Sequence, residues 1–181
     1  GPSRDLHSGH FGGAVVNPCT ALCDMIASLH DEKGRINIPH FYDDVEEVSA
    51  EEREDMAKVP FDAERYNQNV GVDYVTGEEG YSTRERATIR PALDVNGIWG
   101  GYTGEGAKTI LPACAHAKVS IRLVPGQNPH RVNEMFIEHI RKIAPRGTRV
   151  EIKPNHGAFP YVTPITGRAY KAAARALSDV Y

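Results

Sequence analysis

The sequence contains Gly97-Ile-Trp-Gly-Gly-Tyr-Thr-Gly-Glu-Gly-Ala-Lys-Thr-Ile-Leu-Pro112 and, after four intervening residues, Ala117-Lys-Val-Ser-Ile-Arg-Leu-Val-Pro125. The first stretch holds five glycines, which supply no side chains to bury and lose the most backbone freedom on ordering. It is therefore predicted to be a shaped loop. In the second stretch apolar and polar residues alternate from 118 to 124, which is the period of a half-buried strand. Arg122 falls on the polar face of that strand, and we expect it beside the loop.

Composition limits the class of protein. The chain has 181 residues, 40% of them hydrophobic, which is enough for one core of ordinary size. Its formal net charge is -3 with acids and bases interleaved, so it has no basic stripe for nucleic acid. No apolar run approaches the ~18 residues of a membrane span, and the first residues do not resemble a signal segment. We therefore expect a cytoplasmic protein that binds neither nucleic acid nor membrane.

The cysteines give little sign of a special role. There are three of them, and an odd number argues against a disulfide framework. Cys19 and Cys23 are spaced for one face of a helix and not for a zinc knuckle. Reduced thiols in a cytosolic protein are the simplest interpretation.

Helix signals recur along the chain. Asn17-Pro18 and Asn128-Pro129 each place an N-cap Asn before a Pro at the first helical position. The residues that follow carry apolar stripes spaced by three and four, which end near Gly34 and Pro145. A last helix is predicted from about Thr166 to Val180.

Residues 35–90 are more acidic and aromatic than their surroundings. Ser49 and Glu52 form a capping box for a short helix at about 50–58, and Asp62 is expected to cap a second. The aromatic content is too high for a disordered linker. We interpret this part as a solvated helical insertion in preference to an acidic binding surface.

Two weaker strands complete the pattern. Residues 91–97 and 149–153 are short stretches in which apolar and polar side chains alternate. With the helices before and between them, they predict an α+β fold in which helices cover one face of an antiparallel sheet.

The segment from Arg4 to Gly13 brings two histidines, a carboxylate and three glycines into one loop. Glycines let a backbone approach a ligand closely, and an imidazole can donate to an oxyanion near neutral pH. A glycine-rich turn with exposed histidines fits these residue types equally well. His7 and His10 make a poor metal site without a helix and a third ligand.

Four motifs occur in a specific order: Asp5-Leu-His-Ser-Gly9, Phe11-Gly-Gly13, Gly104-Glu-Gly-Ala-Lys-Thr-Ile-Leu-Pro112 and Ser120-Ile-Arg-Leu-Val-Pro125. Together they resemble the dimerisation, or lid, domain of the M20 metallopeptidases, in the carnosinase-like dipeptidase branch. The resemblance implies a ferredoxin-like βαββαβ two-layer sandwich over residues 1–165, interrupted by the helical insertion at about 35–90. It assigns 166–181 to a helix that returns to the catalytic domain.

The resemblance also implies roles for single residues. His7 would reach into the partner subunit's active site and stabilise the tetrahedral oxyanion. Arg122, with Thr109 and His156 nearby, would hold the terminal carboxylate of the substrate, because the planar guanidinium matches two carboxylate oxygens. Without the resemblance, Arg122 would be interpreted as an ordinary surface arginine. The implied partners are a second lid in a homodimer, the catalytic domains of both subunits, and a peptide substrate.

The sequence departs from the full M20 pattern in two ways. It has no metal-ligand constellation, since the acidic pairs of the insertion lack histidine partners. We therefore expect the two zinc or manganese ions to belong to a catalytic domain outside this chain, and the chain alone to be inactive. The first lid strand is also missing before Gly1. Its loss would leave unpaired edges, so we expect a strand from elsewhere or an adjusted sheet.

Two other functions fit parts of the sequence. The stretch from Gly101 to Thr109 resembles a phosphate-binding loop, but Ala107 interrupts the motif. A non-catalytic ferredoxin-like interaction or regulatory module would share the predicted fold. The lid hypothesis requires His7 and Arg122 to be exposed and outside internal pairs, whereas a purely structural module would satisfy both within its own chain.

Overall fold

The computed structural model describes residues 1–163 and 165–180. It has an α+β fold, as predicted. In chain order its elements are β1 (Leu6–His7), α1 (Ser8–Phe11), α2 (Pro18–Ala27), α3 (Ala50–Lys58), α4 (Ala63–Val70), α5 (Thr83–Thr88), β2 (Ala92–Gly100), β3 (Ile110–Leu111), β4 (Ala115–Arg122), α6 (Pro129–Ile143) and α7 (Arg168–Ser178). None of the helices described is both long and apolar enough to span a membrane.

The longer sheet is an antiparallel ladder of β2 and β4. Leu93 lies opposite Ile121, and the pairing continues to the other end of the ladder with a register shift just before Gly97. Ile121 packs against the buried core, while Lys118 and Arg122 are exposed. The alternation predicted for residues 118–124 is therefore confirmed.

β2 is longer than predicted. It extends to Gly100, so the first four residues of the predicted loop are strand. Gly97 lies directly after the register shift, opposite Lys118. A bulge explains why a glycine interrupts the sequence alternation here without ending the strand. The irregular loop is confined to residues 101–109.

The second sheet is a short antiparallel pair of β1 and β3, in which Leu6 lies opposite Leu111 and His7 opposite Ile110. Among the described residues the strands form these two separate sheets, each with two strands. The predicted ferredoxin-like sandwich is therefore not confirmed.

The strand predicted at 149–153 is wrong, because these residues have no regular structure. Val150 and Ile152 nevertheless pack against the core. Alternation of apolar residues records which side chains are buried, but a strand also needs a neighbouring edge with which to exchange hydrogen bonds.

The core lies between the β2–β4 ladder, α2 and α6. Asn17 and Asn128 cap these two helices as predicted, each accepting a hydrogen bond from the backbone N–H two residues later at 2.9 Å. Leu29 and Phe41 are the largest fully buried side chains. The other buried members of the cluster are Met25, Ile36, Ile38, Leu93, Val132 and Ile140.

The insertion contains the two predicted helices, α3 and α4, with Ser49 and Asp62 as their N-caps. It also contains α5, which we did not predict. α5 begins with the same capping box as α3, formed by Ser82 and Glu85. Arg53 of α3 donates a hydrogen bond to Glu85 and lowers the pKa of that carboxyl to about 2.

A buried ion pair attaches the insertion to the sheet. The Nε and Nη2 atoms of Arg90 each donate to one carboxylate oxygen of Glu78 at 2.8 Å, and both side chains are buried. The ring of Tyr81 lies 4.3 Å from the guanidinium carbon. Because Arg90 almost directly precedes β2, this pair fixes the point where the insertion ends and the ladder starts.

Removing one partner of this pair should be costly. Arg90→Met leaves the carboxylate of Glu78 buried, and among the described residues its remaining ion-pair partner is Arg35, at 3.6 Å. We expect the free energy of unfolding to fall by about 3 kcal/mol, because a buried charge without its partner is strongly unfavourable. Urea denaturation measures this change.

The double variant Glu78→Leu with Arg90→Met should recover most of the lost stability. As a control, Lys58→Met removes the exposed Lys58–Asp55 pair and should change stability by less than about 1 kcal/mol. Equal losses for Arg90→Met and Lys58→Met would show that the buried pair has no special structural role.

Candidate functional site

The structure brings His7 and Thr109 together although they are 102 residues apart. The backbone N–H of Ser8 donates to the carbonyl oxygen of Thr109 at 3.0 Å. The Nε2 atom of His7 then lies 3.5 Å from the Thr109 hydroxyl oxygen. Both side chains are exposed, so a molecule outside this chain can reach them.

The Asp5-Leu-His-Ser-Gly9 motif holds this pair in place. One carboxylate oxygen of Asp5 accepts a hydrogen bond from the backbone N–H of Ala113 at 2.9 Å, which ties the start of β1 to the end of β3. His7 is the N-cap of α1, and its Nδ1 atom accepts from the N–H of Gly9 at 2.9 Å. The sequence alone assigned no role to Asp5 or Gly9, although Asp is a common acceptor for backbone N–H groups.

Arg122 is the last residue of β4 and lies opposite Ala92. It is exposed, and within the described part of the chain it has no ion pair or side-chain hydrogen bond. The loop 101–109 leaves the ladder at its other end, where Gly100 pairs with Ala115. Residues 115 and 122 are separated by roughly 23 Å of strand. The expectation that Arg122 lies beside the loop is therefore wrong.

His156 is exposed in the irregular segment 149–163. This segment passes the start of α6, because a Cβ atom on Gly157 would lie only 2.9 Å from Cβ of Pro129. Among residues 1–163 and 165–180, no hydrogen bond or ion pair joins His156 to Arg122 or Thr109. Of the four predicted site residues, the structure thus joins only His7 and Thr109.

The loop 101–109 is held by its own contacts. The Tyr102 hydroxyl donates to the carbonyl oxygen of Glu105 at 2.8 Å, and the Lys108 ammonium lies 5.6 Å from the Tyr102 ring centre. The loop leads into β3. A phosphate-binding loop opens a helix, so this part of the chain does not have that geometry.

The remaining reactive groups do not form a second site. Cys19, Cys23 and Cys114 are free thiols. Burial raises the pKa of the Cys19 thiol, and the neighbouring thiols raise it further, which makes this sulfur a poor nucleophile. In the residues that the structure describes, no group of three or more His, Cys, Asp or Glu side chains is placed to hold a metal ion. These residues therefore do not fit the two ions that the resemblance implies.

Fold and site together define a class of protein: an α+β domain similar to the dimerisation domains of M20 peptidases. The family model of the peptidase dimerisation domain matches residues 2–148. The chain belongs to this family, and its residues 2–148 form the dimerisation domain.

The relatives of this chain in sequence include dipeptidases. The chain is 32% identical to the Cys-Gly metallodipeptidase DUG1 of Candida albicans, over all of this chain and 38% of the relative. It is 29% identical to the human Beta-Ala-His dipeptidase, over 98% of this chain and 36% of the relative. The chain therefore spans less than half the length of these relatives.

Two solved structures are also similar to this chain. The M20 family metallo-carboxypeptidase Sso-CP2 from Sulfolobus solfataricus matches with a TM-score of 0.86 and 36% identity, over 99% of this chain and 46% of that one. Human carnosine dipeptidase 1 matches with a TM-score of 0.80 and 28% identity, over 98% of this chain and 38% of that one.

The contact of Asp5 with Ala113 gives a direct test of the site's framework. Asp5→Ala removes the acceptor and should raise the hydrogen-exchange rate of the Ala113 amide about fivefold, since such a bond contributes about 1 kcal/mol. Asp5→Asn keeps an acceptor oxygen and should leave the rate nearly unchanged. If Asp5→Asn raised the rate as much as Asp5→Ala, the hydrogen bond would not be what protects this amide.

Proposed function

We propose that this chain is the dimerisation and substrate-capping domain of a di-metal M20 dipeptidase. Family membership and the dipeptidase relatives support the general role. The observation that carries the specific role is that Arg122 is exposed and has no ion pair or side-chain hydrogen bond among the described residues, as a lid residue that contacts a substrate requires. His7 is also exposed, but both of its ring nitrogens have contacts within the chain, Nδ1 with the Gly9 N–H and Nε2 with the Thr109 hydroxyl. His7 therefore does not meet the requirement of having no internal partner, and its proposed role is supported by its exposure and by family membership.

His7 is proposed to stabilise the transition state of peptide hydrolysis. Attack on a peptide carbonyl builds negative charge on its oxygen, and a positioned N–H donor is worth most at that moment. By analogy with the removal of other oxyanion donors, the His7 imidazole would contribute about 3 kcal/mol. The Thr109 hydroxyl, 3.5 Å from Nε2, is proposed to donate to the same oxygen.

Arg122 is proposed to bind the terminal carboxylate of the substrate, with His156 as a second polar contact. A guanidinium presents parallel N–H groups that match both carboxylate oxygens. Thr109 was expected to share this task. Because Thr109 lies beside His7, it is instead proposed to act at the oxyanion.

The separation of His7 from Arg122 supports action across a dimer. His7 lies in β1, next to β3, whereas Arg122 ends the other strand pair. One lid is therefore proposed to use Arg122 at the active site of its own subunit and to present His7 and Thr109 to that of the partner. The rest of the enzyme would supply the two zinc or manganese ions, and this chain alone would be inactive. The homodimer and the cytoplasmic location stay predictions.

The last helix is proposed to return to the catalytic domain. α7 contains no buried residue, and Tyr170 and Leu177 on it are exposed by 48% and 60%. The family model ends at residue 148, before this helix. Large apolar side chains on an amphipathic helix favour contact with another surface. The division of the chain at residue 165 stays a prediction, and Pro164 and Tyr181 lie outside the described residues.

The first kinetic test is His7→Ala in the full-length enzyme. Loss of an oxyanion donor should lower kcat by about a hundred- to a thousandfold and leave KM within a few-fold, because the interaction forms mainly in the transition state. Steady-state hydrolysis of a dipeptide measures both parameters. His10→Ala, whose ring is 5.0 Å from that of His7, is the matched control and should keep kcat. An unchanged kcat in His7→Ala would refute the oxyanion role.

The second kinetic test concerns Arg122. Arg122→Ala should raise KM by at least about tenfold, because a bidentate charged hydrogen bond to the substrate is lost, while kcat changes less. Lys118→Ala removes an exposed positive charge from the same face of β4 and serves as the control. If both variants raised KM equally, the general charge of this face, and not a carboxylate site at Arg122, would explain the effect.

A further inference from the structure

The hydrogen bond between Gly9 and His7 determines which ring nitrogen can carry the proton. The backbone N–H of Gly9 points at Nδ1 of His7 at 2.9 Å. A backbone N–H can only donate, so Nδ1 must offer its lone pair. In a neutral imidazole the other nitrogen then carries the hydrogen. Nε2–H is thus the donor, and Nε2 lies 3.5 Å from the Thr109 hydroxyl oxygen.

The same glycine leaves room for the ring. A Cβ atom on residue 9 would lie 2.8 Å from Cε1 and 3.0 Å from Nδ1 of His7, which is closer than non-bonded atoms tolerate. The backbone does not require a glycine here, since Gly9 is not among the glycines with positive φ. Gly13 differs: its φ is 78° and a Cβ there would meet nothing. The His7 imidazole is therefore what a side chain at position 9 would disturb.

We propose that Gly9 is a positioning residue for His7. Its N–H selects the tautomer protonated at Nε2, and its missing side chain allows the ring to occupy the N-cap position of α1. An oxyanion needs an N–H donor aimed at it, and this tautomer offers one at Nε2, the nitrogen beside the Thr109 hydroxyl. The catalytic consequence rests on the proposed function of His7, whereas the tautomer itself does not.

The tautomer is tested on the 181-residue chain without any substrate. At about pH 8.5, where an imidazole is normally neutral, nitrogen-15 NMR should show Nδ1 of His7 unprotonated and Nε2 protonated. A scalar coupling across the hydrogen bond should link Nδ1 to the Gly9 amide nitrogen. A protonated Nδ1, or a Gly9 amide that exchanges as freely as an unbonded one, would overturn the proposal.

The variant that tests positioning is Gly9→Ala. Alanine is favoured over glycine in a helix by up to about 1 kcal/mol, so the fold should be kept while the ring is pushed out. The coupling between residues 7 and 9 should disappear. Ser8→Ala is the matched control: it changes the same turn, keeps the Ser8 backbone bond to Thr109, and should keep the coupling. Coupling that persisted in Gly9→Ala would contradict the steric half of the proposal.

The catalytic consequence is measured in the full-length enzyme. Gly9→Ala should lower kcat about ten- to a hundredfold, because a displacement of the order of 1 Å has such effects, and should leave KM nearly unchanged. The double variant with His7→Ala should be no slower than His7→Ala alone, since Gly9 acts through His7. Equal losses from Gly9→Ala with and without His7 would overturn the positioning role. If His7→Ala alone had full activity, the proposed function would fail, and the NMR result would still decide the tautomer.

Discussion

The antiparallel ladder of β2 and β4 determines where the other elements can lie. Its inner face carries Leu93 and Ile121, which have to be buried, and α2 and α6 supply the apolar surfaces that cover them. Side chains alternate between the two faces of a strand, so a slip of one residue would turn Arg122 into the core. The buried pair of Arg90 and Glu78 stands where β2 begins, and it ties the insertion to the ladder.

The ladder also separates the two halves of the proposed site. After Gly100, at the end of the ladder away from Arg122, the chain forms the loop 101–109 and then β3. Because β3 pairs with β1, Thr109 lies against His7. Arg122 lies at the other end. A single lid therefore does not gather these side chains around one ligand by itself. In the proposed function, a second molecule supplies the missing half.

Local signals in the sequence predicted local structure well. The Asn-Pro pairs and the Ser49–Glu52 capping box marked helix starts that the structure has, because a cap needs only residues that are near in sequence. Ser82 and Glu85 have the same capping-box spacing, so the sequence also contained a signal for the start of α5. Pairing between distant segments could not be predicted in this way. The alternation at 149–153 showed burial but no partner edge, and the two-residue strand β3 is too short to carry a pattern.

The candidate site depends on contacts between segments that are far apart in the sequence. An isolated two-stranded sheet is marginally stable in water, and β1 with β3 has two residues in each strand. Its ends are reinforced by the bond from Ala113 to Asp5 and by the bond from Ser8 to Thr109. Without these two bonds, the backbone N–H groups of Ala113 and Ser8 would have to bond to water. Within the motif Asp5-Leu-His-Ser-Gly9, the Asp5 carboxylate and the Ser8 N–H therefore hold the short strand in place. The Gly9 N–H in turn holds Nδ1 of His7, which leaves Nε2 beside the Thr109 hydroxyl.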